Sequence, residues 1–425
     1  MEPKFMTVAF VVSLLVALAV KLWLATRQLR HVAAHRDTVP AAFAASVSLE
    51  DHRRAADYTL ANGRLELATT AIGAATVVGW TLLGGLDALN GWLRDALLPA
   101  YGALVYQLAL LAAVSLIGGL IDLPAQWIST FRVEQRFGFN RTTPRLWWAD
   151  QAKGALLGAA IGLPLAALVL WIMAASDGLW WLWAWLALMG FNLLMLVIYP
   201  TVIAPMFNSF KPLADAALAD RVQSLMRRCG FAAKGLFVMD GSRRSAHGNA
   251  YFTGLGAAKR VVFYDTLLDK LSPGEVEAVL AHELGHFKLR HVPQRLAGLF
   301  ASSLAALVLL GWLAGQSGFY TGLGVSPNLS APNDALALLL FVLVLPSFGF
   351  FISPLMAHFS RRHEFQADAY ACRQAEGRDL ASALLKLHAD NAGTLTPDPL
   401  YVRFFYSHPP ASQRLAALPT PAAPA

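Results

Sequence analysis

Apolar residues run along this chain in blocks of about 20, the length a helix needs to cross a hydrocarbon core. Seven blocks can be read, near 5–25, 67–89, 101–121, 154–175, 179–200, 295–315 and 334–356. The first is too long for the core of a signal peptide. Leu22, Trp23 and Leu24 extend it without a small-residue cleavage site, so it reads as a retained span. The blocks divide the chain into a five-span N-terminal region (1–200), a polar segment (201–294), spans six and seven (295–356) and a C-terminal segment (357–425).

The polar segments carry shorter patterns. Ala214–Cys229 has the spacing of an amphipathic helix, stopped by Gly230. Gly235–Asp240, Asn249–Gly254 and Arg260–Asp265 are β-rich runs separated by turn residues, which predicts a small sheet. Ser272-Pro273-Gly274-Glu275 predicts a capping box opening a helix to about His291. The tail after Pro419, Thr-Pro-Ala-Ala-Pro-Ala, is expected to be disordered.

Composition supports the membrane reading. Of 425 residues 56% are hydrophobic and 14% charged, against about 25% charged in an average soluble protein. The net charge of +7 is concentrated between spans. Arg27, Arg30, Arg36, Arg53, Arg54 and Arg64 follow span one, and Arg132, Arg136, Arg141, Arg145 and Lys153 follow span three. The opposite side is poor in cations. This distribution predicts an outside N-terminus and cytoplasmic polar segments, and it argues against a nucleic-acid partner. Cys229 and Cys372 form no C-x-x-C pair, which excludes a disulfide framework and a thiolate metal site.

The candidate chemistry lies on the capped helix, at His282-Glu283-Leu284-Gly285-His286. Positions i and i+4 share a helix face, so His282 and His286 can hold one Zn²⁺. Glu283 points away from direct ligation and suits a general base. A catalytic zinc needs a third protein ligand and an open position. Glu364 and Asp368, another i, i+4 pair after span seven, offer a ligand and a partner for a ligand histidine's free ring N–H. His286 lies about eight residues before span six and Glu364 about eight after span seven, so both reach one membrane face at similar depth. Asn249 by itself reads as a polar turn residue, His408 as a loop histidine, and Arg414 as a solvated position on a C-terminal helix.

Six stretches resemble the type I CAAX prenyl endopeptidase family of seven-span zinc metalloproteases. They are Phe131–Asn140, Pro205–Leu213, Asn249–Gly254, the HELGH helix, Ser360–Ala371 and Ser407-His408-Pro409-Pro410. The resemblance implies an all-α integral membrane protein whose seven helices surround an internal chamber. A cytoplasmic zincin-like domain with a small β-sheet completes that fold. It also implies Glu283 as base, His282, His286 and Glu364 as ligands of one Zn²⁺, Asn249 as a substrate-backbone contact and His408 as an oxyanion stabiliser. The expected partners are a peptide or protein substrate, prenylated in the family, and membrane lipid, with a monomer favoured. Ala- and Arg-rich usage points to a bacterial inner membrane, where general membrane-protein quality control is the alternative role. A rival from another class is a holdase whose zinc is only structural, with His408 as a fourth ligand.

Overall fold

The computed structural model describes residues 1–231, 235–253 and 260–418. Long helices dominate it: α1 (Pro3–Ala34), α2 (Leu49–Trp80), α3 (Gly85–Ile128), α4 (Pro144–Ala175) and α5 (Trp180–Ile198). After the polar segment come α8 (His291–Ala314) and α9 (Asp334–Gly349), the latter continued through a 3₁₀ turn into α10 (Ser353–Gln374). A 32-residue helix such as α1 is about 48 Å long, well beyond the roughly 30 Å hydrocarbon core. The helices therefore carry extensions outside the apolar zone, and those extensions hold the other domain.

Six described helices are long and apolar enough to cross a membrane. The seventh member, α2, matches them in length but carries Arg64 and Glu66 at its middle. The second span also ends earlier than its apolar run suggests. Expected near 67–89, it stops at Trp80; Gly84 adopts φ +77°, and Gly85 opens α3. Leu86, Leu89 and Leu93 are apolar because they pack into a plug with Phe319, Leu323 and Val325. Hydropathy cannot separate residues facing a protein core from residues facing lipid.

Neighbouring helices pack α1–α2–α3–α4–α5–α8–α9 and back to α1, closing a ring. Only 11–22% of the most apolar stretch of five spans is buried, against 50% in the α9–α10 helix. That leaves most of their apolar surface for lipid and for the interior of the ring. The plug seals the end away from the polar domain. There the Asn328 side chain accepts from Asn90 at 3.0 Å and donates to the Tyr106 hydroxyl at 3.0 Å, while Gln107 accepts from the Ala335 amide at 2.9 Å.

The polar domain has its own core. Helix α6 (Ala216–Arg228) is N-capped by Asp215, whose carboxylate accepts from the Leu218 amide at 3.0 Å. It buries Leu218, Val222, Leu225 and Met226, and it ends at Gly230 with φ +66°. Four strands, β1 (Phe210–Pro212), β2 (Gly235–Met239), β3 (Ala250–Thr253) and β4 (Arg260–Tyr264), form a sheet in the order β1-β2-β4-β3. Pairing is antiparallel for β1–β2 and β3–β4 and parallel for β2–β4, which leaves β3 at an edge. Strand β1 was not expected; three residues give too short an alternation to read. The end of the Asn249–Gly254 run and the tail from Pro419 lie outside the described residues.

Helix α7 (Pro273–Lys288) begins with the expected box, Ser272 and Glu275 each accepting from the other's backbone amide. It ends at Lys288, before His291, because Arg290 turns left-handed at φ +58° and His291 opens α8. Helices α11 (Gly377–Asp390), α12 (Pro399–Phe405) and α13 (Ala411–Ala417) complete the domain. Ion pairs tie it to the ring extensions: Arg27 Nε to Asp398 at 2.8 Å, and Arg244 to both oxygens of Asp150 at 2.8 and 3.0 Å.

Candidate metal centre

Helix α7 packs along α10 at a crossing lined by small residues, Ala278, Ala281, Gly285, Ala367 and Ala371. A methyl group on Gly285 would stand 3.0 Å from Ala367 Cα and 3.2 Å from its carbonyl oxygen. That close approach brings two i, i+4 pairs on different helices face to face. His282 and His286 Nε2 lie 3.2 Å apart, and each stands 3.4 Å from one oxygen of Glu364.

A tetrahedral ion with bonds of about 2.0–2.2 Å has ligand–ligand edges of about 3.3–3.5 Å. The 3.2 Å between the two Nε2 atoms, the 3.4 Å from His282 to Glu364 Oε2 and the 3.4 Å from His286 to Glu364 Oε1 are close to such edges, with the two carboxylate oxygens together taking the third corner. The set also fits by chemistry, since two imidazoles and a carboxylate suit a borderline divalent cation. Among the described residues these three form the group able to hold an ion together.

Both histidines are oriented from behind. His282 Nδ1 stands 2.8 Å from Asp368, whose carboxylate accepts two further bonds from Arg414, at 2.8 and 2.6 Å. His286 Nδ1 meets His291 Nδ1 at 3.0 Å, and His291 Nε2 meets Gln366 Oε1 at 3.0 Å. With Nε2 of His286 turned to a metal, its Nδ1–H donates to His291, which must then donate from Nε2 to Gln366. The second chain of bonds thus fixes a single tautomer for each ring.

Charge follows the same design. Burial opposes a proton on His282, but hydrogen bonds to Asp368 and Glu364 outweigh it and lift its pKa to about 9. Burial and the charge on His282 drive His286 down to about 3. The pocket thus favours a positive charge on His282, beside the Glu364 carboxylate, and a neutral His286. Burial likewise pushes the Glu283 carboxyl above its ordinary range.

The remaining expected residues come from other elements. Asn249 immediately precedes edge strand β3, and its carbonyl accepts from the Tyr264 amide at 2.9 Å. His408 approaches from the C-terminal segment, its Nε2 3.5 Å from Glu364 and its side chain 65% exposed. It does not join the mutually close ligand set, which leaves three protein donors. Arg414 departs from its expected solvated position: its side chain is 12% exposed and grips Asp368. An arginine six residues from the nearest other site residue, His408, carries no local signal, and the contact exists only because α13 folds back onto α10. His291 and Gln366 were missed for the same reason. Gly285 was also passed over, although a signal was there: a glycine inside a capped helix costs about 1 kcal/mol and points to close packing.

A ring of membrane helices with a polar domain closing over a His-His-Glu cluster defines a membrane-embedded metalloprotease. Residues 28–209 match the model for the CAAX prenyl protease N-terminal region, five membrane helices, and residues 212–422 match the model for peptidase family M48. The chain is 34% identical over 400 residues to a CAAX prenyl protease 1 homolog of Oryza sativa subsp. japonica, covering 92% of each. It is 36% identical to CAAX prenyl protease 1 of Saccharomyces cerevisiae, over 77% of this chain and 76% of that one. The crystal structure of S. mikatae Ste24p superposes with a TM-score of 0.89 at 30% identity, covering 99% of both chains. The chain belongs to peptidase family M48.

Proposed function

We propose that this chain is a one-zinc endopeptidase that removes C-terminal residues from prenylated CAAX peptides, with its active site on the cytoplasmic side of a bacterial inner membrane. The ligand triangle carries the zinc reading, with His282, His286 and Glu364 as ligands and one position left for chemistry. The names of the similar proteins support the CAAX substrate. The arginine-rich extensions lie at the same end as the triangle, which supports the cytoplasmic side.

When bound, zinc supplies Lewis-acid charge at the scissile carbonyl and acidifies water. Glu283 takes the proton of the attacking water and later delivers it to the leaving amine. Its burial raises its proton affinity, the direction a base of this kind requires. Asp368, held by Arg414, keeps His282 in the tautomer that presents Nε2. Strand β3 stands at the end of the sheet among the described residues, an edge on which a peptide can pair, with Asn249 at its start. The Ser407 hydroxyl lies 2.9 Å from His408 Nδ1; donating there, it leaves the ring proton on Nε2, facing the site as an oxyanion donor.

The test is cleavage of a farnesylated CAAX peptide beside its unprenylated twin by detergent-purified protein, with Glu283→Gln as the blank. Glu283-dependent cleavage of the lipidated peptide alone supports the proposal. Cleavage of both makes the enzyme a broader quality-control protease. Cleavage of neither by zinc-loaded protein overturns the CAAX assignment.

A further inference from the structure

The Phe131–Asn140 segment takes no part in the metal centre, yet it builds a second, half-buried polar cluster. Glu134 ends a π-helical turn (Ser129–Glu134) that extends α3. Its carboxylate accepts from the Tyr58 hydroxyl of α2 and faces His247 Nε2 at 3.4 Å. On its other side His247 Nδ1 lies 2.9 Å from Oδ1 of Asn391, just beyond α11. The imidazole stacks on Phe139 at 4.4 Å. Around it, Asn140 bridges to Ser245, the Ala246 amide donates to Phe139 at 3.1 Å, and the Arg141 amide donates to Arg244 at 3.0 Å. Membrane helices, the approach to β3 and the C-terminal segment therefore meet on one imidazole.

We infer that Glu134 and His247 are positioning residues for the peptide-binding strand, because their contact fixes the backbone two residues before Asn249 against the membrane helices. This rests on the proposed use of β3 as the substrate-pairing edge. The geometry favours positioning over a bland packing role. Nδ1 hydrogen-bonds Asn391 and Nε2 faces the Glu134 carboxylate, so one imidazole ties three segments at once. The Glu134 contact raises the His247 pKa against the opposing effect of burial. Further contacts continue toward the strand: the His247 carbonyl accepts from Thr266 Oγ1 at 2.9 Å, and the Asn249 carbonyl accepts from Tyr264. Asn391 begins the segment that leads through Ala392, at φ +45°, to His408. The charged groups facing the imidazole are Glu134 from α3, Arg54 from α2 across the Phe139 ring, and Lys270, itself 3.3 Å from Asp390.

Two readouts on zinc-loaded, full-length protein in detergent test this. The first is amide hydrogen exchange across 247–253 in Glu134→Ala and Glu134→Gln. Glu134→Ala should accelerate exchange there by about tenfold, as expected for loss of a charge-assisted bond, with little change elsewhere. Glu134→Gln should be milder, since its amide oxygen still accepts from Tyr58 and His247. The second readout is affinity for a fluorescent farnesylated CAAX peptide in a Glu283→Gln background. Glu134→Ala should weaken it about five- to tenfold at unchanged zinc content. Affinity in the parent should fall as pH rises through the His247 pKa, and Glu134→Gln should move that fall to lower pH. Unchanged exchange across 247–253 overturns the inference. So does acceleration spread over the whole chain with zinc loss, which marks a merely structural role. Asn249→Ala separates the two readings: unchanged peptide affinity in that variant sinks the Asn249 contact, while the exchange result still decides the clamp.

Discussion

Substituting Gly285 with alanine sets two physical effects against each other. Alanine is the better helix former by about 1 kcal/mol, so an isolated helix would gain stability. In the folded chain the new methyl would meet Ala367 Cα at 3.0 Å, the Ala367 carbonyl oxygen at 3.2 Å and Tyr370 Cβ at 3.2 Å. Two of these are backbone atoms and cannot rotate away. Ordinary carbon contacts lie at about 3.5–4.0 Å, so α7 and α10 must separate by roughly 0.5 Å. Overpacking of this kind costs about 1–3 kcal/mol, leaving a net change between neutral and a loss of about 2 kcal/mol. The metal centre is less forgiving than the fold. Both histidines ride on α7 and Glu364 on α10, so the 3.4 Å edges stretch by the same amount. Metal–ligand bonds tolerate only about ±0.2 Å. Zinc affinity should therefore fall at least about tenfold, with only a modest change in Tm of the metal-free protein. Chelator competition on detergent-purified protein gives the affinity, and a thermal melt gives the stability. Undiminished zinc affinity together with a raised Tm would refute the close-packing argument, because propensity alone would then decide the outcome.

Arg414→Ala should lower zinc affinity about 10- to 100-fold, and Arg414→Lys should recover little, because the two-oxygen grip on Asp368 needs a planar fork. Chelator competition reads both variants. Asp398→Ala removes the N-cap of α12, where Leu400 and Tyr401 amides donate at 2.9 and 3.0 Å, together with the Arg27 ion pair. It should cost about 1–2 kcal/mol of stability and reduce kcat with zinc retained, by loosening the segment that carries His408. Burial alone would raise the Glu275 carboxyl, but Lys386, Ser382 and the Ser272 amide outweigh it and hold it at about 2. A carboxyl depressed on folding contributes stability above its ordinary pKa of about 4.3 and loses it as pH falls toward 2. Glu275→Gln should therefore flatten that acid limb in a Tm-versus-pH series, and an unchanged limb would remove Glu275 from the account.

The sequence by itself determined what repeats at short range. Apolar run length gave the spans, and the i, i+4 rule gave the paired ligands on each of two helices. Cap chemistry at Ser272 gave the start of the helix that holds the first pair. These are properties of neighbours along one element, and a helix makes them certain once it forms. Tertiary structure decided what depends on two elements meeting. The apolar residues at 82–89 left the second span for the plug because packing, not hydropathy, chooses between protein and lipid. Arg414, His291 and Gln366 gained their places only when α13, α8 and α10 converged behind the ligands. The 3.4 Å edges from Glu364 to His286 and His282 arise across 78 (364 − 286) and 82 (364 − 282) positions of chain. No local pattern encodes that distance; the glycine and alanines at the α7–α10 crossing set it by how closely two backbones can approach.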